Sequence, residues 1–566
     1  MPNDLSIAPG GATPTPRRHR NTSRSTDRRT GRQVLAALVA LLALLAAACS
    51  GGESTVEGGE GGTETGGGGD DVLRLAFWTD MQVPDPDIFY EIEGNQVVLS
   101  TYEGLLRYKP DEPGAATTAN EIEPWLAESY EISDDGLTYT FKLRQGVNFV
   151  DGTPMDAEAV KFSFERRTKV NSSPAYMLAE VASYETPDPA TFVVKLTTPV
   201  SAFLDYLAAP YGPKVVSPAL INANESNGDA AQDWIKTNSA GTGPYRLTEF
   251  SLGQRYVLTR NDGYWGGQAF FREIVINIVP DAATQQLQLE GGDIDILHQV
   301  PSSTTAEFRG KEGFQVVDFP VLFKTMIWVD PNRGAFKDKA VRVALREAID
   351  RETLIPQVFG EDAVISEQLY PVGEVPEGTA SDAYEYKGLE PLKALVSKLP
   401  EADRTILLGY TTGSTNDQRL TESIQAMLTE AGFDVTIKSD VLATVFDYVN
   451  QPDTRPNVYV GTVNPDAAHP DTWARIFHAT GGALNYLGAS VPEADALIDE
   501  GLAAVDRDEM LEKYAQAADL WVEDATFITL ADVRDVFIAG PDISGFAHKS
   551  PAPFTLEAFN LTRKAA

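Results

Sequence analysis

One cysteine in 566 residues rules out any internal disulfide, so a chain of this length must be held together by packing alone. The composition permits that. Hydrophobic residues make up 43% and aromatic ones 9%, enough for a large core, and the length calls for more than one domain. The net charge is −36, and the first 48 residues hold seven arginines against two acids, so the remainder is more acidic than the whole. Such a chain excludes nucleic acid as a partner, because phosphate binding needs a basic face. Its field favours cationic solutes near an anionic membrane, although solubility or salt adaptation accounts for the charge equally well.

The cysteine is Cys49, and its place in the chain is informative. Arg17, Arg18, Arg20, Arg24, Arg28, Arg29 and Arg32 precede an uncharged run over residues 34–48. A basic region, a short apolar stretch and small residues before a cleavage point form a secretory signal, here residues 1–48. Leu45-Ala46-Ala47-Ala48-Cys49 resembles a bacterial or archaeal lipobox, which implies lipidation of Cys49 as the mature N-terminus. The apolar run falls short of the roughly 20 residues that span a bilayer. Arg28-Arg29 leaves a twin-arginine export route open beside the general one. Residues 50–71 contain ten glycines and almost nothing apolar. With residue 49 they read as a flexible tether with a reach of about 25 Å. The chain is expected outside the cytoplasm, anchored to the cell membrane in a periplasm or cell-wall space.

Beyond the tether, strands and helices alternate without a repeat. Alternation predicts strands over 72–78, 137–143, 191–196, 254–260, 274–280 and 323–329. Helices are expected over 95–106, from the Asp156 cap with Ala157, Val160 and Phe164 on one face, over 282–289 before Gly291-Gly292, and over 339–350. Residues 405–410, 417–431 and 434–438 form a strand–helix–strand crossover. Two helices close the chain, the second starting at Asp506 with Glu509 three residues on, and burying Met510, Leu511, Tyr514 and Trp521. The class is α/β or mixed α+β in at least two lobes.

No catalytic constellation stands out. H-E-x-x-H, G-x-S-x-G and a P-loop are absent, and a single cysteine cannot supply a thiolate metal site. His298, His469, His478 and His548 show no helical ligand spacing. Gly241-Thr-Gly-Pro-Tyr245 and Gly409-Tyr-Thr-Thr-Gly-Ser414 lack the lysine and glycine pattern of a phosphate cradle. The expectation is a binding protein rather than an enzyme, with no cofactor and no resident metal.

Several blocks resemble the family 5 extracellular solute-binding proteins of ABC importers, the peptide and nickel receptor group. They are Trp125-Leu-Ala-Glu-Ser129, Asp135-Gly-Leu-Thr-Tyr-Thr-Phe-Lys-Leu-Arg-Gln-Gly-Val147, Phe149-Val-Asp-Gly-Thr-Pro154 and Phe162-Ser-Phe-Glu-Arg166. Gly241-Thr-Gly-Pro-Tyr245, Arg260-Asn-Asp-Gly-Tyr-Trp265, Gly292-Asp-Ile-Asp295, Phe336-Lys-Asp-Lys-Ala-Val-Arg-Val-Ala-Leu345 and Ala348-Ile-Asp-Arg351 continue the series. The resemblance implies a two-lobed periplasmic-binding-protein-like fold with a hinge. Lobe one would comprise residues 72–115, 211–321 and 533–566, with an inserted subdomain over 116–210; lobe two would cover 322–532. It also implies closure over a solute and delivery to a membrane permease and its ATPase, by a monomer.

The resemblance aligns Asp466, within Val460-Gly-Thr-Val-Asn-Pro-Asp-Ala-Ala-His-Pro-Asp471, with the carboxylate that holds a peptide's N-terminal ammonium. Thr462 or Val463 stands where peptide receptors of the family carry a tryptophan, and Pro465 removes a backbone donor. The loop Thr411-Thr-Gly-Ser-Thr-Asn-Asp417 lacks a basic residue for a peptide carboxylate. A longer peptide held by its backbone, or an uncharged or cationic solute, fits better than a dipeptide. Asn464, Trp78, Trp473, Asn485 and Tyr486 complete the candidate ligand-binding set. A non-peptide solute (an oligosaccharide, an amine, or chelated nickel using His469 or His478) and a sensory lipoprotein without transport remain alternatives.

Overall fold

The computed structural model describes residues 71–564 except Gln82 and Ala119. The signal and lipobox, Cys49, and the tether up to residue 70 lie outside the described residues. Among the described residues, the largest sheet has eleven strands. Its order is Asp434–Asp440, Thr405–Thr411, Val458–Val463, Gln315–Val329, Phe527–Ala539, Ile296–His298, Val72–Phe77, Glu273–Ile278, Arg255–Arg260 and Tyr245–Ser251, with Ala363–Ile365 paired beside Phe527–Ala539. A separate four-stranded antiparallel sheet orders Ala127–Ile132, Thr138–Leu143, Thr191–Leu196 and Val181–Asp188. The helix Ala157–Val170 packs on it through Ala157, Val160 and Phe164.

Two long antiparallel strands, Gln315–Val329 and Phe527–Ala539, tie the molecule together. At one end, Phe319, Leu322, Phe537 and Ala539 join a core drawn mostly from residues 73–276 and 543–561. At the other, successive side chains enter different cores. Ile327 and Val329 pack with Val458, Val460, Ile528 and Leu530. Met326 and Trp328 pack with Tyr459, Trp473, Trp521 and Phe527 on the opposite face. Alternation of Cβ direction does this in a strand covered on both sides. The ladder between the two long strands shifts register between Pro320 and Phe323, where the proline has no N–H to donate.

The strand–helix–strand crossover is present: Thr405–Thr411 and Asp434–Asp440 pair in parallel around the helix Thr415–Glu430. Two expectations are corrected. The helix expected over 95–106 ends at Thr101, because Tyr102 is extended and Glu103 is drawn into a buried knot with Trp125, Thr242, Tyr264 and Trp265. Leu106–Tyr108 is then a strand. The strand expected from 323 begins at Gln315, since pairing with Phe527–Ala539 carries it past the proline. In the last helix Met510, Tyr514 and Trp521 are buried as expected, while Leu511 is only partly covered.

Candidate functional site

The strand Val458–Val463 leaves the sheet into a loop whose Ala467 and Ala468 do not stay with their own neighbours. They pack into the core that holds Leu73, Tyr108 and Phe537. The loop therefore crosses the seam between the two groups of segments, and Asp466 stands on that seam, 8% exposed. Its carboxylate accepts hydrogen bonds from the hydroxyls of Tyr90 and Tyr176, the latter at 2.7 Å. Among the described residues no basic side chain pairs with it. Burial pushes its pKa up to about 6, against the lowering effect of the two phenols.

Aromatic hydroxyls continue along the seam. Tyr211 meets Tyr90 edge-on at 5.1 Å, and Tyr206 meets Tyr176 at 5.6 Å. Tyr108 donates to Asp205 Oδ1 at 2.8 Å and accepts from the Ala468 amide at 3.0 Å, linking the loop to the opposite side. Burial raises Asp205 to about 7. Asp471 accepts from Tyr514 at 2.8 Å and forms an ion pair with Arg475.

The support beneath Tyr90 and Tyr211 is ionic. Arg166 grips Asp85 with two hydrogen bonds of 2.8 and 2.7 Å and reaches Asp87 at 2.5 Å. Arg167 binds Asp87 at 3.0 Å and the Tyr211 carbonyl at 2.6 Å. All four charged groups are buried. They fasten the helix Ala157–Val170 to the loop that carries Tyr90.

The sequence-derived candidates divide. Thr462 shares its hydroxyl with Thr325 at 2.7 Å and Asp417 at 2.8 Å. Asp417 is itself buried, with its pKa raised by desolvation. Val463 packs partly against the Trp328 core, and Asn464 donates to its neighbour's carbonyl at 3.1 Å. Trp78 is 39% exposed and faces Gly413, where an added Cβ would lie 3.4 Å from the indole. Trp473, Asn485 and Tyr486 do not join Asp466. Trp473 and Tyr486 are wholly inside the Trp328 core, and the Asn485 amide is occupied by the carbonyls of His478, Ala479 and Ala489.

The histidines are equally committed. His478 is enclosed by Trp473, Trp521 and Phe527, and His469 accepts from the Asp471 amide through Nδ1. Among the described residues no cluster of three or more His, Cys, Asp or Glu side chains is placed to hold a metal ion. Tyr90, Tyr176 and Tyr108 were not legible from sequence, because each lies hundreds of residues from the loop it meets, and Asp205 joins them only through Tyr108. Only the density of tyrosine and aspartate in 84–111 and 176–211 hints at them.

The pattern of the bacterial extracellular solute-binding proteins, family 5 middle, matches residues 121–485, and the chain belongs to that family. It is 26% identical over 495 residues to the "Probable D,D-dipeptide-binding periplasmic protein DdpA" of Escherichia coli K12, covering 87% of this chain and 93% of that one. Among solved structures it is similar to NikA from Brucella suis in complex with Fe(III)-EDTA, with a TM-score of 0.76, 24% identity, and coverage of 88% and 100%. It is also similar to DppA from Helicobacter pylori in complex with the peptide STSA, with a TM-score of 0.73, 22% identity, and coverage of 87% and 98%. Those two likenesses establish the mixed α/β fold.

Proposed function

We propose that this chain is the lipid-anchored receptor of an ABC importer, capturing an oligopeptide-like solute between its lobes and delivering it to a permease. One observation carries the ligand class: a buried carboxylate on the seam, Asp466, served by two phenol donors and by no cation. A free ammonium forms a charge-assisted hydrogen bond with such a carboxylate. The lobe limits at 322 and 532 and the insert over 116–210 are part of this reading. The division of the cores and the separate four-stranded sheet support them. Closure follows if the solute binds the closed arrangement more tightly than the open one.

The relatives point to peptides in some cases and metal chelates in others. The peptide side is favoured by Asp466 and by the enclosed His478. The decisive experiment is native mass spectrometry of the gently purified protein, followed by denaturation to release what it carries. A ladder of peptide masses is expected; a single chelate or sugar mass would redirect the ligand. Asp466→Ala should then weaken a free-amine peptide by about tenfold or more, and its N-acetylated form far less. Equal loss for both would remove Asp466 from the ammonium role.

A further inference from the structure

A second carboxylate on the same seam has no partner. Glu374 is 3% exposed, and neither of its oxygens accepts a hydrogen bond among the described residues. Buried carboxylates without donors are rare, because desolvation is uncompensated. The loop 371–375 that carries it lies against residues from the other side of the seam. Thr118 donates to the Val372 carbonyl at 3.4 Å, and a Cβ on Gly373 would stand 2.6 Å from Thr118 Oγ1. The charges that reach Glu374 are Lys324 and Asp205. Lys324 is already held by Asp532 at 2.6 Å, the Gln368 carbonyl at 3.0 Å and Ser366. Asp205 adds negative charge and is tied through Tyr108 to the Ala468 amide, two residues from Asp466.

We propose that Glu374 is a second cation-holding group of the ligand seam, so that the solute carries an ammonium or guanidinium besides the amine held by Asp466. The substrate class is then a peptide with a basic side chain. This rests on the Asp466 reading, and it explains why an uncompensated carboxylate is kept where an apolar residue of similar size would cost less. Asp205 adds a second carboxyl group to the locality; the cation that reaches Glu374, Lys324, is already bound by Asp532, and Arg507 reaches Asp205 from the exposed side. Burial is the first cause of the raised proton affinity of Glu374, and a cation beside it would lower that affinity.

The test is calorimetry on the full-length protein in detergent with alanine tetrapeptides. Position two, three or four is lysine, arginine or norleucine, the last matching lysine without its charge. Wild type should prefer a basic peptide over its norleucine partner by about tenfold or more at one position. Glu374→Gln should abolish that preference. No preference in wild type at any position, which needs no variant to fold, overturns the proposal; so does a preference that survives Glu374→Gln. Tetrapeptides that bind equally leave the Asp466 reading standing and remove this one. Failure of every tetrapeptide to bind removes both.

Discussion

Asp466 is held by two donors that stay neutral over the physiological range, since burial and the carboxylate itself drive Tyr90 and Tyr176 well above their usual values. Its folded pKa of about 6 lies above the ordinary 3.8. The folded chain thus binds this proton more tightly than the unfolded one. The associated stability is fully present below about pH 4, falls as pH rises toward 6, and is level beyond. Ligand binding runs the other way, because an ammonium needs the ionised form. Affinity for a free-amine peptide should rise between about pH 5 and 7 and then flatten, as read by calorimetry. Asp466→Asn should remove that rise. Asp205, at about 7, and Glu374, also raised by burial, are further acids nearby whose titration could carry such a rise, whereas His469, at about 3, stays neutral. A rise unchanged in Asp466→Asn would shift the effect to Asp205 or Glu374.

At the scale of elements, the helix Ala157–Val170 is both scaffold and strut. Its start was legible: Asp156 accepts from the Ala159 amide at 2.9 Å, as the sequence pattern predicts. Its end was not, because no local pattern marks Arg166 and Arg167 as buried, and both are enclosed by Asp85 and Asp87. Removing one member of a buried ionic cluster leaves the others uncompensated. Arg166→Ala should cost about 3–5 kcal/mol, measured from the urea midpoint at constant slope. A loss below about 1 kcal/mol would mean that water reaches the cluster. The cap at Asp506, bonded to the Glu509 amide at 2.9 Å, is a smaller matter. Asp506→Ala should cost about 1 kcal/mol, seen as a modest drop in Tm.

For the whole molecule, specific contacts cross the seam at several places. Trp78 lies on Gly413, Asn416 donates to Ser302 at 3.2 Å, and Tyr90 and Tyr176 reach Asp466. If solute draws the lobes together, Trp78 is the indole whose surroundings change most, since Trp328, Trp473 and Trp521 are fully buried within one side and Trp125, Trp234 and Trp265 pack against the core of the other. The ligand-induced change in tryptophan emission should therefore disappear in Trp78→Phe while the peptide still binds. An unaltered signal would place the moving contact elsewhere.

The sequence alone determined the disulfide-free acidic character, the mixed strand and helix succession, the approximate place of the elements with clear alternation or caps, and the family to which the chain belongs. These depend on composition, on periodicity within a dozen residues, and on short turn and cap patterns. It also singled out Asp466 through its resemblance to peptide receptors. Only the tertiary structure decided the company that residue keeps: Tyr90 is 376 positions away and Tyr176 is 290. The same holds for the long ladder past Pro320, for the helix that stops at Thr101, and for Trp473 and Tyr486, which turn inward. Each depends on which surfaces meet once the two long strands have brought distant segments together, and no local pattern records that meeting.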